Sequence, residues 1–503
     1  MLKRVPPHIP TRRQVVGGAV ASAVWAAAPA RARTTATPLS FEETDRRSLP
    51  HAFYGFDTES LAGPDWRGNF LHRVAQLKPQ LLRYPGGSTA NYWSWKQGGP
   101  PPGTAPGATG DHPFTLEMLA NTLEMTGAET LFDLNLLTAP FDSQIDMLVA
   151  ARRMGLVIRH VELGNEFYLP KSDYVSAYPT PESYAQAATQ WTQTIKEEFP
   201  ETEIAVVGSF LDLPGHRSDD WNERLLASLG KGVDAITLHT YPRGEHPLGL
   251  PINPKPVGNI DPQSRQDQAL RKPRAIERLL AEPFRHWKRD LEPRIEPLPK
   301  RYQLWLTETN LKDSIEALWG TWAQALFAAT LFAIFVRAKR FDMVILHNIT
   351  GLARYGAIFR DDDAFKGSLN PPVTEPLALS CFGLAVEEIG TAIAGAQSAA
   401  WLSFADCPEL TADDGATAPG VFGLSFENEN GRQAVVLNLT GTVSEIAMPV
   451  APSATGTTQV TQLAAPPLFR AINSRPNLSR TIAAKDKLVL APYSLSRFAL
   501  PAA

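Results

Sequence analysis

Cysteine is nearly absent from this chain: Cys381 and Cys407 are the only two among 503 residues. So few cysteines exclude a disulfide-framework fold, and these two are left either as one pair or as separate buried thiols. The histidines and cysteines show none of the close spacings of a zinc site, so neither a metal nor another cofactor is expected. Excess positive charge is missing too. A formal net charge of −4 offers no basic face for phosphates and speaks against nucleic acid as a partner. Long apolar runs are few. Val15–Ala28 is short for a bilayer, and Leu318–Val336 contains Gln324 and falls where a buried helix is due. Repeats and low-complexity tracts do not occur.

What the N-terminus does contain is an export pattern. Lys3, Arg4, Arg12 and Arg13 precede the apolar run, and Ala30-Arg31-Ala32 offers small residues for cleavage, so residues 1–32 read as a signal. Thr11-Arg12-Arg13-Gln14-Val15-Val16 resembles a twin-arginine signal, with Val15-Val16 in place of Phe-Leu. Cleavage after Ala32 removes five positive charges and no negative ones, leaving −9. The expected location is periplasmic or secreted, with no stable membrane insertion after cleavage.

From about Pro50 onward, apolar strand-like runs alternate with helical patterns. The runs are 52–58, 80–84, 129–136, 160–165, 204–209, 235–241, 303–307 and 343–348. Helical periodicity marks 114–126, 145–154, 181–198 and 315–338. Eight strands alternating with helices predict a (β/α)₈ TIM barrel over 50–392, and runs apolar on both faces fit parallel strands covered on both sides. Beyond about Ala400 short β-like runs predict an appended all-β sandwich over 393–503, with 38–49 as a candidate extra strand. Two long connections, 96–113 and 242–300, lie on the strand-exit side, where barrel enzymes shape their clefts. The second is expected to hold a helix near 266–289.

Two of the runs end in a carboxylate. Val161-Glu162-Leu163-Gly164-Asn165-Glu166 closes the fourth candidate strand and Leu304-Trp305-Leu306-Thr307-Glu308 the seventh. Strands four and seven face each other across a barrel mouth, so Glu166 and Glu308 are expected to converge. A pair of carboxyls about 5–5.5 Å apart is the equipment for cleaving a glycosidic bond with retention.

The Asn165-Glu166 ending and the later Glu308 resemble clan A retaining glycoside hydrolases. Within that clan, Leu163-Gly164-Asn165-Glu166, Trp305-Leu306-Thr307-Glu308-Thr309 and Leu82-Arg83-Tyr84-Pro85-Gly86-Gly87 are similar to family 79, the heparanase and β-glucuronidase group. The Arg83–Gly87 run also resembles family 51 α-L-arabinofuranosidases. The resemblance covers residues 40 to 503, specifying the clan better than the family. It implies Glu166 as acid/base, Glu308 as nucleophile, Asn165 on the sugar 2-hydroxyl and Tyr241 on the nucleophile.

Other strand-end residues gain meaning from this pair. Arg83 is expected to hold Glu308 ionised, and alternation puts His239 on the same side as Tyr241. Asp57, Asn135, His347 and Asn348 are placed to meet sugar hydroxyls. Tyr92, Trp93, Trp95 and Tyr168 are candidates for stacking on sugar faces. Lys255, Arg265, Arg271 and Lys272 are cationic candidates for a uronate carboxylate. The expected partner is a glycoside or an oligo- or polysaccharide. The rival classes are a non-catalytic carbohydrate-binding barrel and a barrel enzyme of other chemistry, a lyase or a metal-dependent hydrolase.

Overall fold

The computed structural model describes residues 38–59, 66–104, 113–211, 216–244, 274–312, 318–350, 355–359, 376–449, 457–470 and 479–501. The signal at 1–32 and the cations Lys255, Arg265, Arg271 and Lys272 lie outside the described residues.

A first strand, β1 (Phe41–Ser48), precedes eight that close into a barrel: β2 (Tyr54–Asp57), β3 (Leu81–Tyr84), β4 (Glu129–Asp133), β5 (His160–Glu162), β6 (Glu203–Val207), β7 (Ala235–Thr240), β8 (Gln303–Thr309) and β9 (Met343–Leu346). Neighbours pair in parallel all the way round, β9 closing onto β2. Each run expected to be a barrel strand is one. Leu81, Leu131, Ala205, Ala235, Trp305, Met343 and Ile345 form a separate apolar cluster with Ala52. Two residues further along, on the same face, come Arg83 on β3, Asp133 on β4 and Thr307 on β8, with His347 just past β9. The apolar layer is a packed plug, and the polar layer above it is the floor of the mouth.

The helix Trp322–Arg337 is capped by Thr321, whose side chain accepts from the Gln324 N–H. It is buried from Trp322 through Val336 because the barrel wall and the β-sheet domain cover opposite faces, its Phe332 packing on Phe53 and Tyr54. Among the described residues no helix is long and apolar enough to cross a membrane.

The remaining strands are β10 (Ser398–Phe404), β11 (Glu409–Thr411), β12 (Thr417–Pro419), β13 (Val421–Asn428), β14 (Gly431–Asn438), β15 (Ser444–Ala447), β16 (Thr458–Ala464), β17 (Ser479–Ala484), β18 (Lys487–Leu490) and β19 (Ser494–Leu500). Seven form one antiparallel sheet in the order β1-β10-β13-β14-β19-β16-β17. A two-stranded ribbon, β15-β18, is the facing layer, and Leu402, Val421, Val436, Ile446, Leu488 and Phe498 fill the space between. The sandwich is therefore lopsided: the sheet's other face packs on the helix Cys381–Ile393 of the barrel. Strand β17 gave no apolar signal because it is an edge strand with mostly solvated side chains. Cys381 and Cys407 are free thiols.

Candidate active site

Two local devices aim the glutamates. β5 ends at Glu162, three residues short of the expected strand, because the chain then turns. Gly164 at φ 87° begins the turn, and a Cβ there would lie 2.2 Å from the Phe167 ring. Glu166 itself has φ 51°, a strained backbone for a non-glycine residue. Asn91 holds the turn. Its Oδ1 accepts from the Asn165 N–H at 3.1 Å and its Nδ2 donates to the Asn165 carbonyl at 2.7 Å. On the opposite wall, β8 carries a register shift against β7: Leu238 pairs with Leu306, but His239 pairs with Glu308. The extra residue, Thr307, lets two consecutive side chains face the mouth where simple alternation would turn one outward.

The two carboxylates converge. One oxygen of Glu166, one of Glu308 and a ring nitrogen of His239 all lie within 4.8 Å of one another. Glu308 is 5 % exposed and Glu166 half-buried, so both line an opening while remaining held.

Arg83 is the centre of the floor and is fully buried. Its Nη1 donates to Glu308 Oε1 at 2.9 Å and Asp57 Oδ2 at 3.0 Å, its Nε to Glu162 Oε2 at 2.7 Å, and its Nη2 to Asn165 Oδ1 at 2.9 Å. Asp133 Oδ2 stands 2.8 Å from Nη2 without hydrogen-bond alignment. Burial drives the Asp133 carboxyl well up despite Arg83, with Glu162, Asp57 and Glu308 adding repulsion. Four carboxylates crowd one guanidinium, and at Asp133 burial and repulsion outweigh its attraction.

Around Glu308 the balance runs the other way. Burial favours its neutral form, but His239, His347, Arg83 and the Tyr241 hydroxyl outweigh that and hold it at about 2. Tyr241 donates to Glu308 Oε2 at 2.6 Å. Glu166 has a lighter set of partners: the Tyr168 hydroxyl at 2.9 Å and His239 Nδ1 at 3.0 Å, both on Oε1. Thr307 donates to Glu162 Oε1 at 3.3 Å and so accepts from His239 Nε2 at 3.0 Å. His239 Nδ1 is left facing Glu166. Burial pulls the His239 pKa down, but Glu308 and Glu166 raise it above its ordinary value.

Because Arg83 can only donate, Asn165 must present Oδ1 to it. That leaves Asn165 Nδ2 a buried donor without a protein partner, as a residue awaiting a substrate hydroxyl requires.

His347, joined to Asn348 by a cis peptide bond, sits between Asp57 Oδ2 at 3.3 Å and Glu59 Oε2 at 3.1 Å. Burial opposes its charge, but Glu59 and Asp57 raise its pKa well above the usual value. Asp57, His347 and Glu308 also offer atoms within 4.8 Å of one another. Sequence spacing could not reveal either His/carboxylate group. Arg83 among the same carboxylates opposes a divalent cation there.

The structure brings together Glu166, Glu308, Asn165, Arg83, Tyr241, His239, Asp57 and His347. Tyr168 reaches the site through its hydroxyl and not as a stacking platform, since its buried ring packs near Trp221. Two expected residues do not take part. Asn135 accepts from the Leu137 and Thr138 N–H groups and donates to the Trp93 carbonyl and the Thr138 hydroxyl, so its capacity is spent on a local turn. Trp93 is buried edge-on to Tyr84 and donates to its hydroxyl, which makes it core. Tyr92 and Trp95 are likewise bonded to protein, to Asp173 and to Ser143. Sequence reading missed Glu59, Asn91, Asp133, Glu162 and Thr307. Glu162 and Thr307 sat within the quoted motifs as an alternating and an adjacent polar residue, which was a usable signal.

No protein-family model matches this chain, and no curated protein matches it. Solved structures do. The chain superposes on a family 51 α-L-arabinofuranosidase from Bifidobacterium longum with TM-score 0.64 at 14% identity, covering 92% of this chain and 100% of that one. A family 51 arabinofuranosidase from Xanthomonas axonopodis pv. citri gives 0.63 at 15%, with the same coverage. A 4-O-α-L-rhamnosyl-β-D-glucuronidase from Fusarium oxysporum gives 0.56 at 12%, again over 92% and 100%. At these identities the likeness establishes the fold: a (β/α)₈ barrel with an antiparallel sheet domain.

Proposed function

We infer that the protein is a retaining glycoside hydrolase that cleaves O-glycosidic bonds by double displacement, without a cofactor. The observation that carries this reading is the approach of Glu166 and Glu308 oxygens to within 4.8 Å in one opening, closer than the roughly 6.5–9.5 Å spacing of an inverting pair. Glu308, held ionised by Arg83 and Tyr241, is the nucleophile that attacks the anomeric carbon. Glu166, hydrogen-bonded to His239 and Tyr168, protonates the departing oxygen. It then takes a proton from the water that releases the sugar. Asn165 Nδ2 meets the sugar hydroxyl next to the anomeric carbon, and that bond strengthens as positive charge develops on the ring. A binding protein without catalysis has no need for this asymmetry between two carboxylates. Export to the periplasm or medium, on the N-terminal pattern, completes the proposal.

Of the finer readings, an α-L-arabinofuranosidase is favoured over a β-glucuronidase. The likeness to family 51 structures supports it, and so does the charge of the floor. The floor is rich in carboxylates, Asp57, Glu59, Glu162 and Glu308 beside Glu166, and each floor cation, Arg83, His239 and His347, is already bonded to one or more of these five. A carboxylate on that ring would meet like charge.

The test is a screen of aryl glycosides of arabinofuranose, xylose, glucose, galactose and glucuronate, followed by azide rescue of Glu308→Ala on the best substrate. An azido-sugar of inverted configuration is expected. Binding without turnover across a broad glycan panel would leave the carbohydrate-binding alternative.

A further inference from the structure

Beyond Tyr241 the wall of the mouth continues. The Lys312 N–H donates to the Pro242 carbonyl at 2.8 Å and the Gly244 N–H to the Lys312 carbonyl at 2.9 Å, so an isolated parallel bridge joins Arg243 to Lys312. The chain from β7 through Gly244 thus stays extended, and its side chains alternate. Thr240 points outward, where its hydroxyl meets His286 of the helix Ala275–His286. Gly244 also faces outward, since a Cβ there would meet Leu318, Leu311 and Leu279. His239 and Tyr241 face the carboxylates, and Arg243 shares their side. It stands two residues above Tyr241, roughly 6.6 Å further up the wall.

Arg243 differs from every cation on the floor. Its Nη1 is buried and has no hydrogen-bond partner. Neither its other nitrogens nor its charge finds a carboxylate among the described residues, whereas Arg83 has four around it. A buried guanidinium N–H without an acceptor is costly, and the group that best relieves it is a carboxylate taken by two parallel N–H bonds.

We propose that Arg243 binds a carboxylate carried beside, and not on, the sugar being cleaved. The substrate class is then an acidic glycan from which a neutral sugar is removed. This rests on the glycosidase reading above and narrows it: the carboxylate-rich floor disfavours an anionic cleaved ring, and the Arg243 guanidinium on the rim favours an anion next to it.

The experiment compares an oligosaccharide whose cleaved neutral sugar is attached to a uronic acid with the same compound after reduction of that carboxylate to the alcohol, and with a sulfated counterpart. On the full-length enzyme, KM for the carboxylated compound is expected to be roughly 10- to 100-fold lower than for the reduced one, with kcat little changed. Arg243→Gln abolishes the difference by raising KM for the acidic compound alone, and Arg243→Lys restores part of it. Equal KM values in the wild type, or a preference surviving in Arg243→Gln, would overturn the proposal. A stronger preference for the sulfated form, lost in Arg243→Gln, would overturn the carboxylate assignment. Equilibrium binding of the same compounds reads Arg243 even without turnover, so absence of hydrolysis would sink the enzymatic reading separately.

Discussion

Strand β8 and the turn after β5 each deliver one glutamate to the same opening, and they do so in contrasting ways. Glu308 sits inside a strand, aimed by a bulge, with Arg83 and Tyr241 on its two oxygens. Glu166 sits past the end of a strand on a left-handed backbone, with Tyr168 and His239 crowded onto one oxygen. The first setting stabilises a permanent negative charge. The second leaves the other Glu166 oxygen without a side-chain partner among the described residues. Identical side chains thus sit in distinct electrostatic settings, the asymmetry that the proposed mechanism uses.

The contrast can be broken most completely at Glu308. Glu308→Ala is expected to lose about 10⁴-fold or more in kcat while keeping its thermal unfolding midpoint within a few degrees. Glu166→Ala should fall roughly 10²–10⁴-fold on substrates with poor leaving groups and far less on activated aryl glycosides. A uniform loss across leaving groups would contradict its role as acid.

Tyr241→Phe removes the hydroxyl from Glu308, a charge-assisted bond of about 1.5–3 kcal/mol, so kcat/KM should drop roughly 10- to 100-fold. The Glu308 pKa, held at about 2, should also rise. Because the nucleophile must be ionised, the acid limb of the pH–rate profile then moves to higher pH in the variant, whereas in the wild type that limb lies below the range set by Glu308's ordinary value. An acid limb left in place would contradict Tyr241's hold on the nucleophile.

The smallest effect concerns stability. His347 has a folded pKa raised well above its ordinary value by Glu59 and Asp57, after burial has opposed it. Its contribution is fully present below the unfolded pKa of about 6.5 and is lost as pH rises through the folded value. The wild-type midpoint should therefore decline on the alkaline side by roughly 2–4 °C more than that of His347→Asn. Parallel curves for the two proteins would show that His347 carries no such linkage.

Much of this was legible before any coordinates. All eight barrel strands announced themselves as apolar runs, because parallel strands buried on both faces need little else. Glu166, Glu308, Arg83, Tyr241 and His239 stood at the ends of such runs, where a barrel places its functional groups. Trp93 and Asn135 misled for a physical reason: an aromatic or an amide near a strand end satisfies core packing or a turn as readily as a sugar. Glu59 and Asn91 gave no signal, since a lone polar residue in a connecting segment has no pattern until its partner appears.

By itself the order of residues determined the barrel, the presence of an appended sheet domain and the two strand-end glutamates as candidates, because periodicity and strand-end position are local properties of a chain. Only the tertiary structure decided that Thr307 forms a bulge, that one guanidinium gathers four carboxylates and that Arg243 Nη1 is left without a hydrogen-bond partner among the described residues. Those depend on groups distant in sequence meeting in a low-dielectric space, where the number of neighbouring charges, and not the type of any one residue, sets which carboxyl is ionised.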